Sequence, residues 1–187
     1  WGRRPMYQGW YGITGDDVVL HAGAFNWTYT LGVGLIDPWA NGATAVLYNG
    51  PADPAVWPQL IERFGVTIFA TVPSLYRRIL KYASFHRDGL KTLRHGLTAG
   101  EALPPAVLTA WQAATGTPLY EALGMSEIST YISTGPGMEA KPGSPGRPQP
   151  GRRVAILDPG DGDDEEADET SAAVAKPVRE LPAGAIG

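Results

Sequence analysis

The chain has 187 residues, of which 43% are hydrophobic and 18% charged, a balance typical of a globular protein with one good core or two small ones. Its net charge of −4 gives no basic surface, so we expect no nucleic-acid partner. The absence of cysteine excludes disulfides and thiolate metal sites and favours a cytoplasmic location, and the sequence has no apolar run of about 18 residues that would span a membrane.

The first part of the chain predicts a helix end, a strand and a second helix. Residues 1–17 read as the end of a helix followed by a turn, and residues 18–21 have the composition of a short buried strand. Residues 22–30 are rich in aromatic and small side chains. They lead into a tightly packed helix at residues 31–36, which we expect to break before Pro38.

From Ala43 onward, predicted strands alternate with predicted helices. The strands are expected at 43–48, 66–71, 94–98 and 118–122. Prolines open the helices that follow the first three strands, at Pro54, Pro73 and Pro104, and Asp53 is expected to cap the first of them. Such alternation indicates βαβ units. The predicted fold class is therefore α/β, with a mostly parallel sheet flanked by helices.

The pattern changes after Glu127. Residues 128–133 alternate like a strand, residues 141–151 form a loop rich in proline and glycine, and residues 153–157 predict another strand. Residues 158–180 carry a dense run of acidic side chains. Because like charges repel, we expect this segment to be a mobile surface loop.

Two short loops that follow predicted strands carry the most informative chemistry. The first is Ala99-Gly100-Glu101 and the second is Leu123-Gly124-Met125-Ser126-Glu127. In an open parallel sheet, ligands bind beyond the carboxyl ends of the strands. Glycine allows backbone to approach a ligand closely, and a carboxylate can meet a cation or a hydroxyl. The two loops therefore predict a ligand site at this edge, although their spacing does not name the ligand.

Further segments complete a family pattern. The pattern consists of Trp39–Thr44, Val66–Pro73, Gly100-Glu101-Ala102-Leu103-Pro104, Gly124-Met125-Ser126-Glu127 and Lys141-Pro142-Gly143-Ser144-Pro145-Gly146. In this order the segments resemble the AMP-forming acyl-CoA synthetases of the adenylate-forming superfamily, most of all bacterial acetyl-, benzoate- and other acyl-CoA ligases. The resemblance covers residues 1–157, a partial AMP-binding (adenylation) domain. It omits the acidic loop at 158–180, and residues 181–187 look like the start of the next family segment.

The resemblance implies a two-step ligase reaction. A carboxylate attacks the α-phosphate of ATP to give an acyl-adenylate and pyrophosphate, and the thiol of coenzyme A then takes the acyl group. The implied ligands are a small carboxylate, ATP or AMP, Mg²⁺ and coenzyme A. Two alternatives stay open: an adenylation domain that loads a carrier-protein thiol, and a non-catalytic nucleotide-binding remnant.

The resemblance also implies roles for individual residues. Ser126 stands where the family commonly has threonine, whose hydroxyl meets phosphate, and Glu127 is the expected Mg²⁺ ligand; these two are the candidate catalytic residues. Leu123 departs from the aromatic residue common at its place, which weakens the expectation of aromatic contact with adenine. The candidate nucleotide-binding residues are Gly100, Glu101, Ala102, Leu123, Gly124, Met125 and Ser126.

The expected acyl pocket combines two parts of the sequence. Phe25, Asn26 and Trp27 match the segment that lines this pocket in relatives. Gly124 stands where acetate-specific relatives carry a tryptophan that blocks longer chains. The resemblance therefore implies an acyl group larger than acetate, either aromatic or of medium length.

Each candidate residue also has a purely structural interpretation. Glu127 could be a solvated carboxylate, Ser126 a turn former, and Trp27 a core residue, while Glu101 would be favourable at a helix N-terminus. The three histidines, His21, His86 and His95, lack metal-ligand spacing, so we expect structural or surface roles, with a pocket role open for His21.

The resemblance predicts that the chain is incomplete at both ends. The family's phosphate loop should lie before Trp1, and its ribose-binding Asp and its small domain with a catalytic Lys should lie after Gly187. We therefore expect this chain alone to be inactive. Any homodimer of it would form through exposed sheet edges.

Overall fold

Seven strands form the framework of the molecule, and the structure, a computed structural model, describes residues 1–157 and Pro182. The strands are β1 Val18–His21, β2 Thr44–Val46, β3 Ile68–Thr71, β4 His95–Ala99, β5 Leu119–Met125, β6 Ser129–Ser133 and β7 Arg147–Pro148. Residues 1–152 make one compact unit that contains this whole sheet, and this unit ends at Arg152.

The strands form one sheet in the order β2-β1-β3-β4-β5-β6-β7. The first five are parallel to one another, whereas β6 pairs antiparallel with β5 and β7 pairs antiparallel with β6. This arrangement confirms the predicted α/β class and mostly parallel sheet. After β1 the chain adds β2 on one side and then crosses to add β3 on the other, and ligands commonly bind outside the carboxyl ends of strands near such a reversal.

Short helical pieces and longer helices cover the sheet. The helices are α1 Arg4–Met6, α2 Thr28–Leu31, α3 Asp37–Ala40, α4 Val56–Phe64, α5 Pro73–Tyr82 and α6 Pro105–Thr115. Wide π-helical turns at Tyr7–Tyr11 and Gly32–Ile36 extend α1 and join α2 to α3. Across residues 1–157, helices stay too short and too polar to cross a lipid bilayer.

The two faces of the sheet bury two separate apolar clusters. Along β3, Phe69 points into one cluster, while Ile68 and Ala70 point into the other, as the alternation of a strand requires. The first cluster lies under α4, α5 and α6 and includes Trp57, Ile61, Tyr76, Ile79, Val107 and Trp111. The second lies under the N-terminal helical pieces and includes Met6, Trp10, Tyr11, Val33, Leu97 and Tyr120. Burial on both faces is typical of parallel strands.

The second predicted helix does not break before Pro38. Instead the chain stays helical from Thr28 to Ala40, with Pro38 inside α3. The wide turn explains the difference. The amide of Asp37 donates to the carbonyl of Gly32, five residues back, so the hydrogen bonds just before Pro38 no longer follow the α-helical pattern that a proline would interrupt.

Other predicted boundaries also shift. Helix α4 begins at Val56 rather than at Pro54, because the Asp53 carboxylate accepts from the Ala55 amide (2.9 Å) and forms a turn before the helix. The strands at Thr44–Val46 and Ile68–Thr71 are shorter than predicted.

Two predictions fail near the end of the described residues. The 141–151 segment was expected to be entirely loop, but Arg147–Pro148 pairs with β6 as β7. Residues 153–156 form no strand, and all of them are exposed. Their apolar side chains resemble a buried strand in the sequence but are not buried in the structure. The predicted acidic loop at 158–180 and the segment 181–187, apart from Pro182, lie outside the described residues.

Candidate functional site

A pocket of about 240 Å³ opens beyond the carboxyl ends of β4 and β5. Four parts of the chain line it: the N-terminal helical pieces, the segment from Trp27 to Val33, the end of β4, and the β5–β6 hairpin. Its lining residues are Arg3, Met6, Trp10, Trp27, Thr28, Tyr29, Val33, Ala99, Gly100, Gly124, Met125, Ser126, Ser129 and Thr130. The edge predicted from the sequence therefore carries a cavity, and both predicted loops contribute to it.

Three aromatic rings form one wall of the pocket. Trp27 meets the ring of Tyr29 edge-on at 5.4 Å between centroids, and Trp10 stacks on Tyr29 at 5.9 Å. The Tyr29 hydroxyl lies 3.4 Å from the carbonyl oxygens of Thr71 and Leu97, which it can donate to, and burial raises its pKa well above the usual value. The wall is thus aromatic, and the Tyr29 hydroxyl ties it to the backbone of β3 and β4.

The first predicted loop approaches this wall closely. Gly100 has φ +90°, a conformation that favours glycine, and a Cβ there would lie 2.9 Å from Cη2 of Trp27. Glu101 points elsewhere: its carboxylate accepts from Ser74 Oγ at 2.9 Å, in the first turn of α5, so its charge lies at a favourable helix N-terminus. Ala102 is exposed and does not line the pocket.

A half-buried carboxylate also contacts the backbone of this loop. Glu121 on β5 accepts a hydrogen bond from the Leu103 amide at 2.8 Å through Oε1. Burial raises the pKa of Glu121, and this hydrogen bond opposes the rise. The sequence had marked neither residue as a site residue, because they are 18 positions apart. Glu121 therefore helps to set the course of the backbone after Gly100.

The second predicted loop is largely strand. β5 continues through Leu123, Gly124 and Met125, so only residues 126–128 connect it to β6. The register of the hairpin shifts between Leu123 and Gly124. A Cβ on Gly124 would lie 2.6 Å from both Ser129 O and Thr130 Cα. Glycine is therefore required by the close approach of two strands, whatever the size of the acyl group.

The candidate catalytic residues lie in this connection. Ser126 lines the pocket, and Glu127 follows it, exposed and without a hydrogen bond or ion pair to the described residues. Nowhere in residues 1–157 do three acidic or histidine side chains gather as a metal site would need. Mg²⁺ is usually held by one or two carboxylates together with substrate phosphates, so a lone free carboxylate beside the pocket fits that ion.

Of the predicted acyl-pocket residues, the structure brings two to the cavity. Trp27 and Gly124 line it, whereas Phe25 is half-buried outside the lining and Asn26 is exposed. Leu123, predicted on the nucleotide side, is 44% exposed and also lies outside the lining.

A charged network missed by the sequence reasoning lies at the same pocket. The Arg3 guanidinium donates from Nε (3.0 Å) and Nη2 (2.5 Å) to the carboxylate of Asp37, which is fully buried. The hydroxyls of Tyr11 (2.9 Å) and Tyr7 (3.3 Å) also donate to Asp37. Burial alone would lower the pKa of Arg3, but the hydrogen bond and charge of Asp37 raise it above the usual value. No local signal marks partners 34 residues apart.

Two of the histidines are buried behind the site. The His21 ring meets Tyr29 edge-on at 4.4 Å, and neither ring nitrogen has a hydrogen-bond partner within residues 1–157. Burial lowers the pKa of His21 to about 3. Nε2 of His95 lies 2.8 Å from the Tyr11 carbonyl oxygen, and burial lowers the pKa of His95 to about 4. Both side chains are neutral at pH 7, in keeping with a structural role.

Comparisons with known proteins agree in the family that they indicate. The sequence profile of the AMP-binding enzymes matches residues 3–171. The acyl-coenzyme A synthetase ACSM3, mitochondrial, of Pongo abelii is 30% identical over 152 residues, 80% of this chain and 25% of the relative. The benzoate–CoA ligase of Thauera aromatica is 36% identical over 147 residues, 79% of this chain and 28% of the relative.

A solved structure gives the same indication. The anthranilate CoA ligase AuaEII, crystallised in complex with anthranoyl-AMP, matches with a TM-score of 0.77 and 33% identity over 85% of this chain and 30% of that one. The chain thus spans between 25% and 30% of these three relatives.

Proposed function

Because the chain belongs to the family of AMP-binding enzymes, we propose that it is part of an ATP-dependent carboxylate–coenzyme A ligase. This ligase joins a carboxylate to AMP, releases pyrophosphate, and then transfers the acyl group to the thiol of coenzyme A. The proposal concerns the longer protein, since this chain spans about a quarter of the curated relatives.

One observation carries the proposal: the predicted acyl and nucleotide segments meet at a single pocket. Trp27 comes from the segment after β1, Gly100 from the end of β4, and Gly124 to Ser126 from the end of β5. Trp27 and Ser126 are 99 residues apart in the sequence, and the sheet brings them to one edge. A two-substrate ligase needs such convergence, because the acid and the nucleotide must meet at the α-phosphate.

The residues of the pocket suit this chemistry in distinct ways. Gly100, with its positive φ and missing side chain, leaves backbone close to the cavity. The Ser126 hydroxyl is a hydrogen-bond donor that can meet a phosphate oxygen. Glu127 offers the hard oxygen ligand that Mg²⁺ prefers, and the ion would neutralise phosphate charge as it develops during attack.

We further propose an aromatic carboxylic acid as the substrate. Trp10, Trp27 and Tyr29 make one wall of the pocket aromatic, and aromatic pairs, stacked or edge-on, are favourable beyond their burial alone. The identity of 36% to a benzoate–CoA ligase supports this choice over a medium-length aliphatic acid. Gly124 is not evidence for a large acyl group, because the close approach of the hairpin strands requires glycine there.

The test is carboxylate-dependent exchange of pyrophosphate into ATP by the longest natural chain that contains this sequence. The acids are acetate, hexanoate and benzoate, and Glu127→Gln is compared with Glu139→Gln, an exposed carboxylate outside the pocket. We expect exchange with benzoate, lowered about 100-fold or more by Glu127→Gln, the size seen when one electrostatic contact to a transition state is removed. Glu139→Gln should retain the wild-type rate.

Two results would decide against parts of the proposal. Exchange that is faster with acetate or hexanoate than with benzoate would overturn the aromatic substrate. No exchange with any acid would favour a non-catalytic remnant. If exchange occurs, supplying coenzyme A or a carrier protein in a second step identifies the thiol that accepts the acyl group.

A further inference from the structure

Arg3 connects two parts of the site that are far apart in the sequence. Its guanidinium binds Asp37, the first residue of α3, and also donates from Nη1 to Ser129 Oγ at 3.1 Å. Ser129 is the first residue of β6, directly after the connection that carries Ser126 and Glu127. We propose that Arg3 is a positioning residue, which holds this connection in its pocket-facing conformation by fixing Ser129.

The inference deepens the proposed function, since it takes Ser126 and Glu127 as the residues that meet phosphate and metal. It depends otherwise on the contacts of Arg3 alone.

The Asp37 carboxylate acts as the anchor of this arrangement. It is fully buried, receives two donors from Arg3, and is also bound by Tyr7 and Tyr11. A buried carboxylate with this many donors has little freedom, so the guanidinium that it binds is fixed in the plane of the fork. The third nitrogen of the guanidinium, Nη1, is thereby positioned to donate to Ser129 Oγ.

Ser129 is a residue that needs such a tie. Its φ is +59°, the one positive value for a residue other than glycine among the described residues. A side chain in this region costs conformational energy, which persists only where surrounding contacts impose it. Within residues 1–157, the contact with Arg3 is the only hydrogen bond of the Ser129 side chain. Without this hydrogen bond, we expect the backbone at the start of β6 to move away from its positive φ.

Relaxation at Ser129 would reach the pocket lining directly. Ser129 pairs with Met125 in the hairpin, and its carbonyl lies against Gly124, where no side chain fits. Met125, Gly124 and Ser126 all line the pocket. The conformation of the connection and the shape of that wall are therefore set together.

The site is also built to accommodate arginine. A Cβ on Gly32 would lie 2.6 Å from Arg3 Cζ, so the absence of a side chain at that position leaves room for the guanidinium. Lysine could pair with Asp37 but offers one nitrogen, which cannot reach both Asp37 and Ser129 in the same plane. Because Asp37 compensates its charge, Arg3 acts here through geometry and not as a free cation for a substrate anion.

The experiment compares Arg3→Lys, Ser129→Ala and the double variant in the longest natural chain, with Arg4→Lys as matched control. Arg4 is exposed and lies over the ring of Trp1. The first measurement is amide hydrogen exchange of residues 124–130 without ligand. We expect Arg3→Lys to speed exchange there about tenfold, in line with the loss of one partly buried hydrogen bond, while the melting temperature changes little.

The double variant separates positioning from general stability. If Arg3 acts through Ser129, the double variant exchanges no faster than either single variant, because both remove the same contact. Additive effects, or an unchanged exchange rate in Arg3→Lys, would overturn the proposal. Arg4→Lys should match the wild type.

A kinetic measurement links the contact to the reaction. Arg3→Lys should lower kcat of pyrophosphate exchange about tenfold or more and leave KM for the acid within about twofold, as expected for misplaced groups that act in the transition state. A raised KM with unchanged kcat would instead assign Arg3 to substrate binding and overturn the positioning role. If the wild type shows no exchange with any acid, the proposed function fails, and the hydrogen-exchange comparison still decides whether Arg3 holds the hairpin.

Discussion

The two faces of the sheet differ in the regularity of their helices and in what they bury. On one face, α4, α5 and α6 are regular and pack apolar side chains such as Trp111 and Ile79 over the strands. On the other face, short helical pieces and wide π-turns hold the ion pair of the partly exposed Arg3 with the buried Asp37. They also bury the ring of His21, which has no hydrogen-bond partner within residues 1–157.

The pocket lies on the second, less regular face. Buried polar groups cost free energy unless they are paired, so a protein keeps them where they serve geometry or chemistry. The first face has no comparable role at this pocket, because none of its helices lines the cavity. The comparison suggests that one face mainly stabilises the domain, while the other accepts local cost in order to shape a site.

The largest expected effect tests the stabilising face. Trp111 is fully buried, meets Tyr76 edge-on at 4.7 Å, and donates from Nε1 to Thr117 Oγ1 at 3.1 Å. Trp111→Ala should lower the free energy of unfolding by about 3–5 kcal/mol, through the cavity and the lost contacts. Urea unfolding of the 187-residue chain measures it, with Trp39→Ala, at an exposed position, as control. Equal effects at the two positions would refute this assignment of the core.

A somewhat smaller effect is expected on the site-bearing face. Asp37→Ala removes the anchor of Arg3 and leaves a partly buried guanidinium without its counter-charge. We expect a loss of about 3 kcal/mol in the free energy of unfolding, at the low end for broken buried pairs because the Arg3 side chain is 26% exposed. Asp16→Ala, at an exposed position, should change it by less than about 0.5 kcal/mol. If urea unfolding shows a loss below about 1 kcal/mol for Asp37→Ala, the network contributes little to the stability of the domain.

The smallest effect concerns pH and His21. Burial lowers its pKa to about 3, whereas the unfolded chain takes up the proton near pH 6.5, so the unfolded state binds more protons in between. Stability should therefore fall as the pH drops from 6.5 toward 3, with His21 contributing at most about 1.4 kcal/mol per pH unit. His95, whose pKa is lowered to about 4, adds to the same trend.

The change in slope identifies the contribution of His21. Unfolding of the wild type and of His21→Gln is compared between pH 5 and 7, where the variant should lose less stability on acidification. His86→Gln, at an exposed position, is the control and should keep the wild-type slope. If His21→Gln has the wild-type slope as well, His21 takes up its proton in the folded protein as readily as in the unfolded chain, and the lowered pKa of a buried ring is wrong.

The sequence predicted the parallel part of the fold well because its signals are local. Buried strands such as Val18–His21 are short apolar runs, and Pro73 and Gly65 mark a helix start and a helix end. The errors occur where tertiary contacts decide. β5 runs on through Gly124 because β6 pairs with it, and α3 includes Pro38 because a π-turn precedes it.

The candidate site divides in the same way. Gly100, Gly124 and Ser126 could be found from motifs, since each motif is a continuous stretch that ends a strand. Arg3 could not be found, because its partners Asp37 and Ser129 lie 34 and 126 residues away. The roles proposed for Glu127 and for the nucleotide-side residues stay predictions until exchange is measured.

The wide turn at Gly32–Ile36 has a consequence for how the length of this segment can vary. A π-turn holds one more residue than an α-helical turn, and each residue of an α-helix advances by about 100° around its axis. Deleting one residue here would yield an ordinary helix that is locally more regular. It would also rotate Asp37 away from Arg3. Natural variants should therefore tolerate substitutions in this segment more readily than insertions or deletions, even though a deletion would give more regular α-helical hydrogen bonds.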